Sequence, residues 1–178
     1  MNIIETYKVQ KIERDKFIKA LNPKSFDFQI ATWFGTGLIV PAPGTWGTLG
    51  GLIFTIILYA LTNSFFVFLT AVVLFFIGLN VLERLEKKLP NHDSSFIVID
   101  EVVAIMLLFS LLPKENLYIS VPLMFLIFRL LDAKKPFPID WVDKNIKGAW
   151  GIMLDDLLAA IISIPVFILI AIFLFSFH

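Results

Sequence analysis

The stretch from Phe65 to Leu82 reads Phe65-Phe-Val-Phe-Leu-Thr-Ala-Val-Val-Leu-Phe-Phe-Ile-Gly-Leu-Asn-Val-Leu82 and holds no charged residue. Inside a bilayer every backbone N–H and C=O must be paired within the chain, so an apolar run of this length is expected to form a membrane helix. Working outward, the uncharged turn Thr62-Asn63-Ser64 joins it to another apolar run, residues 49–61. A polar stretch, residues 83–95, follows it. Runs at 98–112 and 117–131 come next, joined by Pro113-Lys114-Glu115-Asn116, and a last run fills 152–177, where Pro165 is expected to kink a helix. A full crossing takes about 20 residues, so the third and fourth runs are short for one. The fold predicted is an all-α, polytopic membrane helical bundle with about four to five membrane helices, preceded by an N-terminal amphipathic segment.

Composition agrees. The chain has 178 residues, of which 58% are hydrophobic, against about 45–50% in an average soluble domain. Formal net charge is zero, so bulk charge gives no reason to expect a nucleic-acid partner. The absence of Cys excludes disulfides, thiolate zinc sites, iron–sulfur clusters and a Cys nucleophile. The polar N-terminus lacks the apolar core of a signal peptide, so no cleavage is expected. Residues 1–27 mix Lys8, Lys11, Arg14, Lys16, Lys19 and Lys24 with Ile3, Ile4, Tyr7, Phe17, Ile18 and Leu21. They read as a basic segment, either lying on a membrane face or frayed. Residues 28–178 read as one membrane-embedded domain.

Charge also orients the chain. If the N-terminus is cytoplasmic and each run crosses, every Lys and Arg but Lys114 falls on the cytoplasmic side. That is a strong positive-inside pattern. Trp33, Trp46, Trp141 and Trp150 then fall at the inner boundary, as interfacial anchors do.

Such an apolar chain nonetheless gathers charge between Phe128 and Leu158: Asp132, Asp140, Asp143, Asp155 and Asp156, with Arg129, Lys134, Lys135, Lys144 and Lys147. Asp100-Glu101 opens the third helix, and Asp155-Asp156 is expected in about the first turn of the fifth. Helix N-termini favour carboxylates, so end-decoration is one reading. Acids beside apolar helix bodies are costly, however, and several drawn together need a cation among them. Oxygen ligands without Cys point to Mg2+. Asp93, in the loop before the third helix, reads as a turn residue or a further ligand. Arg129 and Asp132 share a helix face, as a salt bridge or as a phosphate grip beside a metal-site acid. One of Lys134 and Lys135 could meet a phosphate, the other lipid headgroups. The segment Pro41-Ala-Pro-Gly44-Thr45-Trp-Gly-Thr48-Leu-Gly-Gly51 reads as a loop entering a helix near Thr48. It serves either as a packing turn, the commoner use, or as a phosphate cradle at a helix N-terminus.

In combination these segments resemble the phosphatidylglycerophosphatase A family. The matching parts are Gly35-Thr-Gly37, Pro43-Gly-Thr45-Trp-Gly47-Thr-Leu49, Asp93, and Ile97-Val-Ile-Asp100-Glu101. They continue with Phe128-Arg129-Leu-Leu-Asp132, Lys135-Pro136-Phe-Pro138-Ile139, Asp143, and Gly148-Ala-Trp-Gly151-Ile-Met-Leu-Asp155-Asp156. Together they cover roughly residues 28–160. The resemblance implies a Mg2+-dependent membrane phosphatase that converts phosphatidylglycerophosphate to phosphatidylglycerol in phospholipid biosynthesis. Its partners would be the lipid substrate and the bilayer, and its home a bacterial-type inner membrane with the site cytoplasmic. Metal ligands are then expected among Asp93, Asp100, Glu101, Asp155 and Asp156. Catalytic carboxylates are expected among Asp100, Asp132 and Asp156. Phosphate contacts are expected from Arg129, Lys135, Gly44, Thr45 and Thr48.

Two alternatives fit less well. A small membrane cation carrier would set its acids near mid-membrane, and none of these helix centres carries one. A metal-dependent phosphatidyl-group transferase would show an Asp-Gly-x-x-Ala-Arg pattern, which is absent.

Overall fold

A computed structural model describes residues 3–89, 94–112 and 116–175. His92, Asp93, Lys114 and Glu115 lie outside the described residues. Within them all regular structure is helical, as the sequence predicts. The α-helices are α1 (Ile3–Ala20), α2 (Phe26–Ala31), α3 (Pro43–Leu61), α4 (Ser64–Glu86), α5 (Ile99–Leu111), α6 (Leu117–Lys134), α7 (Ile139–Asn145) and α8 (Gly148–Phe175). A short 3-10 turn covers Thr36–Leu38.

The run that opened the reading becomes α4. Asn63 caps it, its side chain accepting the N–H groups of Phe65 and Phe66. By length and composition α3, α4 and residues 148–173 of α8 can each cross a membrane. The two short runs differ: α5 has 13 residues, roughly 20 Å of helix, and α6 carries Arg129, Asp132 and Lys134 in its last turns.

The α5 helix is the centre of the bundle and packs against α3, α4, α6 and α8. Ile99, Val102, Val103, Ala104, Ile105 and Met106 are all buried, the all-round burial of a central helix. The outward faces of its neighbours are apolar too: Ile53 and Ile57 on α3, Phe65 and Phe76 on α4, and Leu169 and Phe173 on α8 are exposed. Outward faces of this kind suit a hydrocarbon surround.

Three sequence expectations change here. The Gly-rich segment is not a loop up to Thr48, because α3 already begins at Pro43, whose missing N–H suits the first helical position. Its glycines serve packing: a Cβ on Gly47 would lie 2.4 Å from the Val98 Cβ, and one on Gly51 would lie 2.9 Å from a Val102 methyl. Small residues let α3 and the start of α5 approach backbone to backbone. Next, α8 starts at Gly148, so Asp155 and Asp156 sit about two turns inside it rather than at its end. Pro165 lies inside α8, which runs on to Phe175. Finally, Trp33 is not an interfacial anchor. It is buried, edge-on to Phe34 and Phe54, while Trp46, Trp141 and Trp150 are exposed.

At the end of the bundle where α4 finishes, Arg84 clasps Asp27 of α2 with Nη2–Oδ1 at 2.7 Å. The basic N-terminal segment is helical as α1 and tucks Phe17 and Leu21 into the same core, with Phe17 against Phe28 and Phe96.

Candidate active site

A cavity of about 730 Å3 opens where α3, α5, α6, α7 and α8 meet. Asp100 and Glu101 reach it from α5, Arg129 and Asp132 from α6, and Asp143 from α7. Asp155 and Asp156 reach it from α8, with Gly44, Lys135, Ser94, Ser95, Lys147 and Gly148 completing the wall. Most of the acids singled out in the sequence therefore share one chamber. The chain brings them there from four helices: Asp100 and Glu101 open α5, Asp132 lies in the last turn of α6, Asp143 is on the short α7, and Asp155 and Asp156 stand two turns into α8.

Arg129 organises one half. Its Nη1 donates to Glu101 Oε1 at 2.8 Å and also to Asp132 Oδ2, one turn along α6. The Thr48 hydroxyl stands 2.9 Å from Glu101 Oε2 and 2.8 Å from the Gly44 carbonyl. Arg129 also reaches Thr48 Oγ1 at 3.4 Å and Thr45 Oγ1 at 3.5 Å. Both oxygens of Glu101 are thus held. A Cβ on Gly44 would lie 2.1 Å from Glu101 Oε1, so only glycine leaves room for the carboxylate. Gly44 lines the cavity, whereas Thr45 and Thr48 stand behind it, against Arg129 and Glu101. Thr48 is fully buried.

Lys135 organises the other half. It caps α6 in a left-handed conformation, φ 42°. Its Nζ donates to Asp143 Oδ1 and to Asp155 Oδ2, each at 2.6 Å. Burial works against the Lys135 charge, but its bonds to Asp143 and Asp155 outweigh it and raise the ammonium above the ordinary lysine range. The bond from Lys135 in turn holds the Asp143 carboxyl below its ordinary value, against a smaller opposing effect of burial. Asp143 belongs to the motif, but its neighbours in sequence give it no role. Only the fold shows that it shares Lys135 with Asp155.

Between the halves stand Asp100 and Asp156. Asp100 Oδ1 accepts the Glu101 N–H at 2.9 Å. Asp156 is buried, and its Oδ2 has no hydrogen-bond partner. Asp100, Asp132, Glu101 and Asp155 are the like charges that act on it. As arranged, no three acids converge on one point among the described residues, since Glu101 and Asp132 turn to Arg129 and Asp155 to Lys135. An unpartnered buried carboxylate among other acids is costly, and a bound cation would relieve that cost. Oxygen donors of this kind suit Mg2+, so the residues present fit such an ion.

Chemically, the chamber offers acids that can take a proton or a metal ion, and three cations, Arg129, Lys135 and Lys147, that can receive phosphate oxygens. Similar proteins point the same way. A family model described as Phosphatidylglycerophosphatase A matches residues 29–171. A Haemophilus influenzae protein named "Phosphatidylglycerophosphatase A" is 36% identical over 151 residues, covering 85% of this chain and 90% of that protein. An Escherichia coli protein of the same name is 35% identical over 134 residues, 75% of this chain and 77% of that one. A Bacteroides thetaiotaomicron protein named "Putative phosphatidylinositol-3-phosphatase" is 36% identical over 155 residues, 84% of this chain and 94% of that one. No solved structure matches the chain. By this match, which spans most of its length and all the described acids of the chamber, the chain belongs to the phosphatidylglycerophosphatase A family.

Proposed function

We propose that this chain removes the terminal phosphate of phosphatidylglycerophosphate, giving phosphatidylglycerol and inorganic phosphate, with Mg2+ as its metal. The observation that carries the reading is the chamber itself: buried acids with Arg129, Lys135 and Lys147, gathered at one face of a bundle of apolar helices, where a lipid's headgroup would lie. The family relationship adds the substrate class.

Asp100 and Asp156 would hold the ion, with Asp155, Glu101 and Asp93 as the further candidates. Once bound, Mg2+ supplies charge neutralisation at the phosphate and a lower pKa for a coordinated water. The remaining work falls to the chain. Arg129, already oriented by Glu101 and Asp132, would grip the non-bridging oxygens of the phosphate with the N–H groups it still has free. Lys135 would keep Asp155 in place and add positive charge at the rim. Water would attack phosphorus in line with the leaving glycerol oxygen, and the P–O bond to that oxygen would break. Asp100 and Asp132 are the candidate acceptors for the water proton, which would pass on to the leaving glycerol oxygen to give the hydroxyl of the product. Gly44, Thr45 and Thr48 support this by fixing Glu101 and Arg129 from behind.

The α4 and α8 helices would fix the chain in an inner membrane, with the chamber and the N-terminus on the cytoplasmic side, in keeping with the distribution of Lys and Arg. The test is phosphate release from phosphatidylglycerophosphate, phosphatidylinositol 3-phosphate and phosphatidic acid, each with Mg2+ and with chelator. Metal-dependent release from the first, well above the others, is expected. The Bacteroides relative's name makes phosphatidylinositol 3-phosphate the sharpest competitor, and faster release from it would replace the substrate assigned here.

A further inference from the structure

The loop between α6 and α7 turns apolar side chains away from the protein. Phe137 stands between Pro136 and Pro138 and is 81% exposed, the most open phenylalanine among the described residues. One turn on, Trp141 is 54% exposed on α7, while Ile139 and Val142 on the other face are buried. So α7 is docked by its inner face and presents Trp141 outward. Exposed cations border this pair: Lys134 before it, Lys144 and Lys147 after it.

Its place in the fold says what covers it. The loop joins the end of α6 to the element before α8, at the bundle face that carries the chamber. At this same face Trp46 in the first turn of α3 and Trp150 in the first turn of α8 are also exposed. Trp150 packs against Phe75 of the membrane helix α4, ring centroids 6.1 Å apart. Exposed tryptophans on three elements at one face mark a membrane–water boundary. Phe137 and Trp141 continue that boundary beside the chamber mouth. Aromatic side chains bordered by lysines match the boundary of headgroups and acyl chains in a leaflet with anionic lipid.

The loop is also tied to the chamber. Lys135 immediately precedes Pro136, and its Nζ holds Asp143 of α7 and Asp155 of α8. Movement of the loop is therefore movement of the lysine that holds an acid of the site.

We propose that Pro136-Phe137-Pro138 with Trp141 is a membrane wedge, entering the interface of the leaflet that carries the substrate and thereby fixing Lys135 against Asp143 and Asp155. The wedge itself rests on the exposed side chains and their level. Its effect on turnover rests also on the phosphatase reading above.

The absence of cysteine makes the test clean. Phe137→Cys, labelled with a polarity-sensitive fluorophore, is reconstituted as the full chain in phosphatidylcholine–phosphatidylglycerol vesicles. The label is expected to be quenched by brominated acyl chains and shielded from aqueous iodide. Iodide quenching without bromine quenching would overturn the wedge. In the second arm, Phe137→Ser is expected to slow phosphate release from bilayer phosphatidylglycerophosphate by roughly fivefold to tenfold, the effect of losing one buried aromatic contact. Release from a water-soluble short-chain analogue by the same vesicles should fall by a similar factor, because Lys135 and Asp155 serve both substrates, and undiminished release from the analogue would overturn the link between the wedge and Lys135. If the native chain releases phosphate from neither substrate while the label is quenched by bromine, the phosphatase reading fails and the wedge stands.

Discussion

Arg129 and Lys135, the two chamber cations that pair with its acids, are held by different kinds of structure. Arg129 lies on a helix face between α3, α5 and α6, with Glu101 fixed on both oxygens and glycine at position 44 making room. Its partners are largely shielded: side-chain exposure is 19% for Arg129 and 13% for Glu101. Lys135 sits on a loop, and it and Asp143 are 33% and 39% exposed. The first half is built to stay still, and the second can respond to what touches the loop. Asp100 and Asp156, between them, are left for a ligand.

This contrast orders the expected effects of mutation. The largest belongs to the acids between the halves. Asp156→Asn should abolish phosphate release, roughly a thousandfold loss or more, of the size seen when a central electrostatic group is removed. Thermal stability should be kept or improved, because a buried unpartnered charge disappears. Unfolding of the variant would instead mean that Asp156 is a structural partner.

Arg129→Ala comes next. It leaves Glu101 and Asp132 facing each other without their cation, and breaking a buried pair this way costs about 3–5 kcal/mol. Both activity and melting temperature should fall sharply. Arg129→Lys should restore part of the stability and little of the activity, since a single ammonium cannot reproduce the fork. Equal recovery of the two would show that Arg129 is only a salt-bridge partner.

Lys135→Met should cost less stability, because water screens its half, while turnover drops roughly tenfold through loss of Asp155 positioning. The pH dependence follows from the directions of the shifts. Asp143 is depressed, so its contribution is present above the ordinary aspartate range and is lost as pH falls through its lowered value. Lys135 is raised, so its contribution is complete below the ordinary lysine range and is lost only as pH rises past its elevated value. Unfolding measured against pH should therefore show this bridge intact across the whole neutral range. Lys135→Met should flatten the dependence at both edges. A change near neutrality in the difference between the native chain and Lys135→Met would contradict the assignment.

The smallest effect is expected at Thr48. Thr48→Val leaves Glu101 Oε2 without its hydroxyl, about 1–3 kcal/mol for a buried acceptor, with Thr48→Ser restoring it. If Thr48 touched phosphate directly, Thr48→Val would raise KM with little change in stability, the opposite pattern.

Much of this was legible in the sequence. The apolar runs became the helices, and the step from Arg129 to Asp132 became a contact because it is one helical turn. The acid pairs reached one chamber because each stood near the same end of a run. What could not be read was pairing across distance. Nothing local links Thr48 to Glu101 or Lys135 to Asp155; packing of α3 and α8 on the rest of the bundle makes those contacts. Helix starts also misled. Pro43 and Gly148 lie in glycine-rich stretches whose propensity favours loops, but tertiary contacts override propensity there. That moved Asp155 and Asp156 from a helix end into the helix, and it gave the glycines of α3 a packing role. Asp93, outside the described residues, keeps the standing that the sequence alone gives it.

The most direct test is phosphate release from phosphatidylglycerophosphate in vesicles, by the native chain and by Asp156→Asn, with Mg2+ and with chelator. Release by the native chain alone, and only with the metal, is the expected result. Undiminished release by Asp156→Asn, or by the native chain in chelator, would contradict a site built around that unpartnered carboxylate.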